Sequence, residues 1–198
     1  MLSTQKEKLQ QKLGGYISIG ITAGGVPCGV IGVPWESTAH AFNMRTPDVY
    51  IAPEDLQDGD IMAQLDTCKV IGCYIWEPLT DYGFLTRFRH IEDLNIYNGE
   101  AIRDLDFLEG LPQCRMLYLG NAVLQDLNTL VCVKKNNPCG FWALRCIALC
   151  NCYVADLSVF EREEVSFSEF LVWNPKDRDE RQRWQVVDAL TRRYYELK

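Results

Sequence analysis

A short phrase recurs along the middle of this chain and constrains its fold more than any other feature. The phrase is an apolar residue, any residue, a second apolar residue, any residue and asparagine, and it begins at Leu94, Leu117 and Ile147. A fainter copy without the asparagine begins at Ile71, so successive starts are separated by 23, 23 and 30 residues. A repeated unit of this size cannot bury its apolar side chains alone, so neighbouring copies must stack on one another.

A second phrase, apolar-x-Asp followed by an apolar residue, comes after each copy of the first. Its aspartates are Asp81, Asp104, Asp126 and Asp156. Because an aspartate can accept a hydrogen bond from a nearby backbone N–H, we expect each one to cap a short helix or turn at the start of a return segment. A stack of metal-binding aspartates is the alternative, but the turn position already accounts for an aspartate there.

The two phrases together predict a strand, a bend and a return segment in every copy. Alternate strand residues point to the same side, and stacked strands form a parallel sheet with neighbours about 4.8 Å apart. One continuous core then contains the apolar residues of the first phrase, namely Leu94, Ile96, Leu117, Leu119, Ile147 and Leu149.

Leucines in this arrangement, at a period of about 20–29 residues, resemble the leucine-rich repeat family. The second half looks most like the short repeats of internalin-type and phosphatase-regulator-type proteins. The resemblance covers residues 68–160 and implies an α/β solenoid of about four repeats with a short parallel β-sheet. The asparagines depart from the family pattern because they come one residue early, so Gly99, Ala122 and Cys152 occupy the usual asparagine position.

The regions on either side of residues 68–160 are predicted to cap the ends of the array. For residues 1–67, an irregular N-terminal cap, we expect a helix at 3–13, a strand at Tyr16–Thr22 with a hairpin partner near residues 30–35, and a degenerate first coil at 49–65. Residues 161–198 are predicted to be a helical C-terminal cap, because the segment from Asp177 onward has an amphipathic pattern.

Composition excludes several classes of function. The net charge of −7 argues against nucleic acid as the main partner, since phosphate binding needs a basic surface. No apolar run reaches the roughly 18–20 residues of a membrane span, and the N-terminus has no apolar signal segment, which favours a cytoplasmic location while leaving a leaderless export route open. The nine cysteines are accordingly predicted to be reduced thiols.

The sequence contains few candidate residues for a catalytic or metal-binding site. Cys28 and His40 could be imagined as a nucleophile and its base, but no third group orients them. Cys146 and Cys150 have a spacing found in zinc sites, yet four residues of extended strand span about 13 Å, too far for one ion. We therefore expect no enzyme activity, metal or cofactor. A small catalytic or ligand-binding unit within residues 1–67, carried by the repeats, remains the alternative.

The other side of the predicted sheet is the candidate binding surface. Solenoid proteins bind partners on such extended faces, and tyrosine and arginine dominate protein interfaces. We predict a scaffold-type module that binds a protein partner there, with alanine variants of the tyrosines losing affinity at an unchanged melting temperature. The predicted contact residues are Tyr74, Tyr97, Tyr118, Arg115, Asp93, Asn95 and Met116.

Overall fold

The computed structural model describes residues 2–23, 46–130, 144–159 and 169–173. Within these residues, seven strands form one sheet in which every neighbouring pair is parallel. The spatial order of the strands differs from their order along the chain. In spatial order the strands are β2 (Val49–Ile51), β1 (Tyr16–Ile21), β3 (Lys69–Ile75), β4 (Asp93–Ile96), β5 (Met116–Gly120), β7 (Cys146–Cys150) and β9 (Glu169–Trp173). A second sheet pairs β6 (Val123–Leu124) with β8 (Tyr153–Val154).

Two α-helices and three 3-10 helices connect or flank these strands within the described residues. The α-helices are α1 (Ser3–Gln11) and α2 (Gly59–Thr67). The 3-10 helices span Pro53–Gln57, Gly83–Arg87 and Asp106–Gly110, and the last two follow β3 and β4 as their return segments. The fold is therefore mixed α/β, with a parallel sheet and few helices.

The repeated strand phrase is aligned in register across the sheet. Leu117 lies between Leu94 and Ile147 on the neighbouring strands, and Leu119 lies in the same way between Ile96 and Leu149. All six of the predicted core residues are at most 1% exposed. The predicted parallel strands and the predicted burial of this set are confirmed.

The four aspartates of the second phrase all make the same turn. In each case Oδ1 accepts a hydrogen bond from the backbone N–H two residues later, at distances of 2.8 to 3.1 Å. The donors are Gly83, Asp106, Asn128 and Ser158. The predicted capping role of these aspartates is therefore confirmed, and it explains their recurrence without a metal ion.

The N-terminal region contributes directly to the main sheet. The predicted helix and strand are present as α1 and β1, and β1 lies between β2 and β3, parallel to both. Val49, Ile51 and Leu65 are buried in the main core, consistent with an apolar coil at that place. The expected hairpin partner near residues 30–35 lies outside the described residues.

The C-terminal region begins with a strand that the sequence analysis missed. β9 pairs with β7 so that Phe170 lies beside Ile147, and Phe170-x-Val172-x-Asn174 is another copy of the repeated phrase, again 23 residues after Ile147. Part of the predicted helical cap at 161–198 is thus extended sheet. The helix predicted from Asp177 onward lies outside the described residues.

Candidate functional site

The side of the sheet opposite the main core carries a second set of alternating side chains. We call this surface the aromatic face. Its members follow from the strand register, because each is the neighbour in sequence of a core residue. It comprises Tyr50, Ser18, Gly20, Gly72, Tyr74, Trp76, Asp93, Asn95, Tyr97, Met116, Tyr118, Gly120, Cys146, Ala148 and Cys150.

The tyrosines of the aromatic face lie in two adjacent rows. Register places Tyr74, Asn95 and Tyr118 side by side on β3, β4 and β5. Tyr97 follows β4 directly and therefore lies one step further along the strand direction than Asn95. These residues therefore share one face, as predicted, and the three tyrosines follow a zigzag across the strands.

Trp76 joins the tyrosines into a continuous aromatic cluster. Its ring stacks on Tyr97 with centroids 5.5 Å apart and planes 9° apart, and Tyr97 contacts Tyr118 at 5.1 Å. On its other side Trp76 contacts Tyr74 at 6.1 Å and Tyr50 at 6.2 Å. Trp76 is not among the predicted contact residues because it follows the end of β3, although the period-two pattern of Tyr74 continues to it.

A glycine beneath the cluster makes room for two of these rings. A Cβ atom at Gly20 would lie 2.8 Å from Cδ1 of Tyr50 and 2.9 Å from Cζ3 of Trp76. Both distances are shorter than carbon atoms tolerate, so a larger residue on β1 would push the rings away from the sheet. The backbone of β1 is thus the surface on which this end of the cluster rests.

The predicted contact residues differ widely in exposure. Tyr74, Tyr97, Tyr118 and Asn95 are only 1%, 9%, 7% and 3% exposed. Asp93 and Met116 are half-buried and Arg115 is exposed. The expectation of freely exposed tyrosines is wrong, because the rings pack against one another as well as against the sheet. The tyrosines form a packed layer, and Trp76, Met116, Cys146 and Cys150 are half-buried on the same face.

Burial keeps the phenol groups of this cluster, and one thiol of the main core, protonated. Desolvation raises the pKa of Tyr97, with a further contribution from Tyr74. Desolvation also raises the pKa of Tyr118, and its hydrogen bond with the Cys150 thiol acts in the same direction. In the main core, burial raises the pKa of the Cys114 thiol to about 12. These groups are neutral at pH 7 and do not act there as activated nucleophiles.

Trp76 also carries an unusual polar atom. Its indole Nε1 is buried and has no hydrogen-bond partner within the described part of the chain. A buried donor without an acceptor costs free energy. Among the described residues, Trp76 is therefore held in place by ring stacking.

The early asparagines link neighbouring strands at their carboxyl ends. Asn121 donates through Nδ2 to the carbonyl of Tyr97 at 3.1 Å and to Oδ1 of Asn98 at 3.0 Å, and Asn151 donates to Oδ1 of Asn121. Asn98 donates to the carbonyl of Trp76. The usual asparagine position is filled by small buried residues, Gly99, Ala122 and Cys152. We call this set of side chains, Asn98, Asn121 and Asn151, the asparagine ladder. It donates hydrogen bonds to backbone carbonyls at the bend, and it lies outside the main core.

The catalytic and metal hypotheses receive no support from the described residues. Cys28 and His40 lie outside the described ranges. Cys146 and Cys150 occupy opposite ends of the same face of β7. In the described ranges, no group of three or more His, Cys, Asp or Glu side chains could hold a metal ion.

No helix in the described ranges is long and apolar enough to cross a membrane. No protein-family model, no curated protein and no solved structure matches this chain.

Proposed function

We propose that this chain is a leucine-rich repeat solenoid and a non-enzymatic protein-interaction module that binds a protein partner on the aromatic face. The observation that carries the proposal is the continuous aromatic cluster on the side of the sheet opposite the main core. The in-register repeat phrase, the four identical aspartate turns and the asparagine ladder support the solenoid. Solenoid proteins use extended sheet surfaces for binding.

The accessible residues on and beside the aromatic face are suited to contact with a protein. Trp76 and Met116 are half-buried beside the packed tyrosines, and Arg115 is exposed next to β5. Aromatic, methionine and arginine side chains are enriched in protein interfaces. The tyrosine layer beneath them is already ordered, so binding would lose little side-chain entropy. In this arrangement the tyrosines support the contact surface, Trp76 and Met116 form it, and Arg115 lies beside it, directly before β5.

A binding experiment with two matched charge changes tests the proposal. The full chain is used as bait in an extract of its native cells, and the affinity of each captured protein is then measured with purified variants. Arg115→Glu combined with Met116→Glu should weaken binding by more than about tenfold, since interface hot spots contribute at least that much. Arg89→Glu, a change at an exposed residue in the turn before β4, should bind normally.

Thermal unfolding of the two variants separates binding from folding. The Arg89 variant should melt close to the wild-type chain, because an exposed position is substituted. The Arg115/Met116 variant should melt somewhat lower, because Met116 packs against the tyrosine layer and lies beside Asp93, so its binding is measured well below its melting temperature. If the Arg115/Met116 variant binds the partner as tightly as the Arg89 variant, the aromatic face is not the binding site.

A further inference from the structure

Two arginines lie side by side at the amino ends of neighbouring strands, and we call them the arginine pair. Arg115 directly precedes β5 and Arg145 directly precedes β7. The N–H of Arg145 donates to the carbonyl of Arg115 at 2.8 Å. The two residues are therefore about 4.8 Å apart, as neighbours in a parallel sheet are, and both are exposed.

The arginine pair has no counter-charge within the described part of the chain. Elsewhere in that part Arg87 forms an ion pair with Asp66, whereas neither Arg115 nor Arg145 forms an ion pair or a side-chain hydrogen bond there. Glu92, the backbone neighbour of Arg115 on β4's side, is not paired with it either. Two like charges at this separation repel each other, so the arrangement lowers the stability of the free chain.

The arginine pair borders the aromatic face. Met116 and Cys146 directly follow the two arginines, are aligned with each other and are half-buried on that face. One residue of strand advances by about 3.3 Å, so a positive and an apolar surface meet within one residue. A partner that covers this border needs a negative group next to an apolar one.

The backbone around the arginine pair favours a carboxylate over a phosphate. Phosphate sites commonly use free backbone N–H groups. The N–H groups of Arg115 and Met116 donate to the carbonyl of Glu92 at 2.7 and 3.1 Å. Those of Arg145 and Cys146 both donate to the carbonyl of Arg115. The guanidinium groups are therefore the donors that remain at these four residues, and their geometry matches the two oxygens of a carboxylate.

We infer that the arginine pair binds a carboxylate of the protein partner, and that the partner reaches the aromatic face with a segment in which an aspartate or glutamate adjoins an apolar residue. The inference rests on the proposed function, because it names the chemistry of the partner at the same surface. The chain has a net charge of −7 and repels an acidic segment elsewhere, so the arginine pair also fixes the position of that segment.

A library of random peptides displayed on phage is the probe, and the full chain is the target. Selected peptides should contain an acidic residue next to an apolar one. The Arg115→Gln/Arg145→Gln double variant should select apolar peptides without the acidic preference. A wild-type selection without acidic residues, or an acidic preference that persists in the double variant, overturns the inference.

Affinity measurements then isolate the contact with the carboxylate. Each selected peptide is synthesised with its acidic residue and with the corresponding neutral amide. Arg145→Gln should weaken binding of the acidic form at least about tenfold, and binding of the neutral form by less than about twofold. Arg89→Gln is the matched control, an exposed arginine in the turn before β4, and should bind both forms as the wild type does.

Met116→Gln separates this inference from the proposed function, since it should weaken binding of both peptide forms. If Met116→Gln does so but Arg145→Gln affects the two forms equally, the aromatic face binds a partner and the arginine pair does not bind its carboxylate. If neither variant changes binding, the proposed function fails as well. Inorganic phosphate should displace the acidic peptide no better than chloride at equal ionic strength, and preferential displacement would assign the pair to phosphate instead.

Thermal unfolding of the free chain provides a readout that needs no ligand. Arg145→Gln should melt at or above the wild-type temperature, because it removes a like charge beside Arg115. A clearly lower melting temperature would give Arg145 a structural role in the free chain and overturn the inference.

Discussion

Tyr97 shows that the face on which a residue lies and its exposure have different physical origins. Period-two alternation places it opposite Leu94 and Ile96, as the sequence predicts. Its low exposure of 9% comes from Trp76 and Tyr118, which contact its ring from neighbouring strands. Alternation along one strand therefore predicts the side, whereas contacts between strands determine how much of the ring reaches solvent.

Tyr97→Ala should destabilise the chain by about 3–5 kcal/mol, as expected for removing a large buried ring. This replaces the expectation of an unchanged melting temperature. Chemical denaturation measures the change in the free energy of unfolding. Tyr16→Ala is the matched control, since Tyr16 is 63% exposed and its substitution should cost less than about 1 kcal/mol. Similar losses at the two positions would contradict the packed layer.

The buried phenols predict a loss of stability at alkaline pH. Burial raises the pKa of Tyr97 and Tyr118 in the folded chain, while the unfolded chain has the ordinary tyrosine pKa of about 10. The folded state therefore holds these protons more tightly. The contribution of these phenols to the free energy of unfolding is complete below about pH 10. It is lost as the pH rises above that value, because the unfolded state then releases its phenol protons first.

Comparison with a phenylalanine variant measures this effect. The unfolding free energy of the wild type should fall more steeply above pH of about 10 than that of Tyr97→Phe, which has no proton to release at this position. Parallel pH profiles for the two proteins would mean that the Tyr97 phenol titrates alike in both states.

At the scale of elements, the repeat pattern predicted the strands and the turns of its copies. Leucines at equal spacing and alternation within each phrase predict the same strand in every copy, and an aspartate before each return segment predicts the turn. The spacing of the repeat does not predict the hydrogen bonds of the asparagine ladder. Its geometry depends on backbone angles, since Asn121 and Asn151 have φ values of 60° and 52°, in the left-handed region that asparagine tolerates better than most residues.

Two substitutions of Asn121 separate its backbone role from its side-chain role. Asn121→Gly and Asn121→Ala both remove the ladder hydrogen bonds, but only glycine adopts a positive φ without strain. We expect both variants to be less stable than the wild type, and Asn121→Ala to be less stable than Asn121→Gly by about 1–2 kcal/mol. Urea denaturation measures the difference.

Asn98 provides the control for this comparison. It donates to the carbonyl of Trp76 but is not one of the described residues with a positive φ. Glycine should therefore give no advantage over alanine at position 98. If the same advantage appears at both positions, the backbone angle of Asn121 is not its cause.

At the scale of the whole molecule, the main sheet continues from the N-terminal region into the repeats. β1 lies between β2 and β3, so residues predicted as a separate cap hydrogen bond directly to the first strand of the array. Strand β9 extends the sheet at the other end. One continuous layer of backbone hydrogen bonds thus connects the described regions.

The two faces of this sheet predict a pattern of thiol reactivity. The six described cysteines form no disulfide with one another. Cys68, Cys73, Cys114 and Cys152 are buried, whereas Cys146 and Cys150 are half-buried. In the folded protein, an alkylating reagent should label Cys146 and Cys150 at least about tenfold faster than the buried set, because reaction requires an accessible thiolate.

Mass spectrometry of peptides from briefly alkylated protein measures these rates. Alkylation of the unfolded chain without a reducing agent is the control and should modify all nine cysteines, as expected for reduced thiols. Labelling of Cys73 as fast as that of Cys150 in the folded protein would contradict the buried main core.

The sequence by itself determined the six core residues of the repeated phrase, the strands that contain Leu94, Leu117 and Ile147, and the aspartate turns. These features depend on short-range spacing, and the spacing recurs in every copy, so each copy supports the same prediction. The position of β1, the packing of Trp76 against the tyrosines and the hydrogen bond between Gln5 and β2 were decided only by the tertiary structure. They arise from contacts between residues far apart in the chain, and no local period indicates which distant residues will meet.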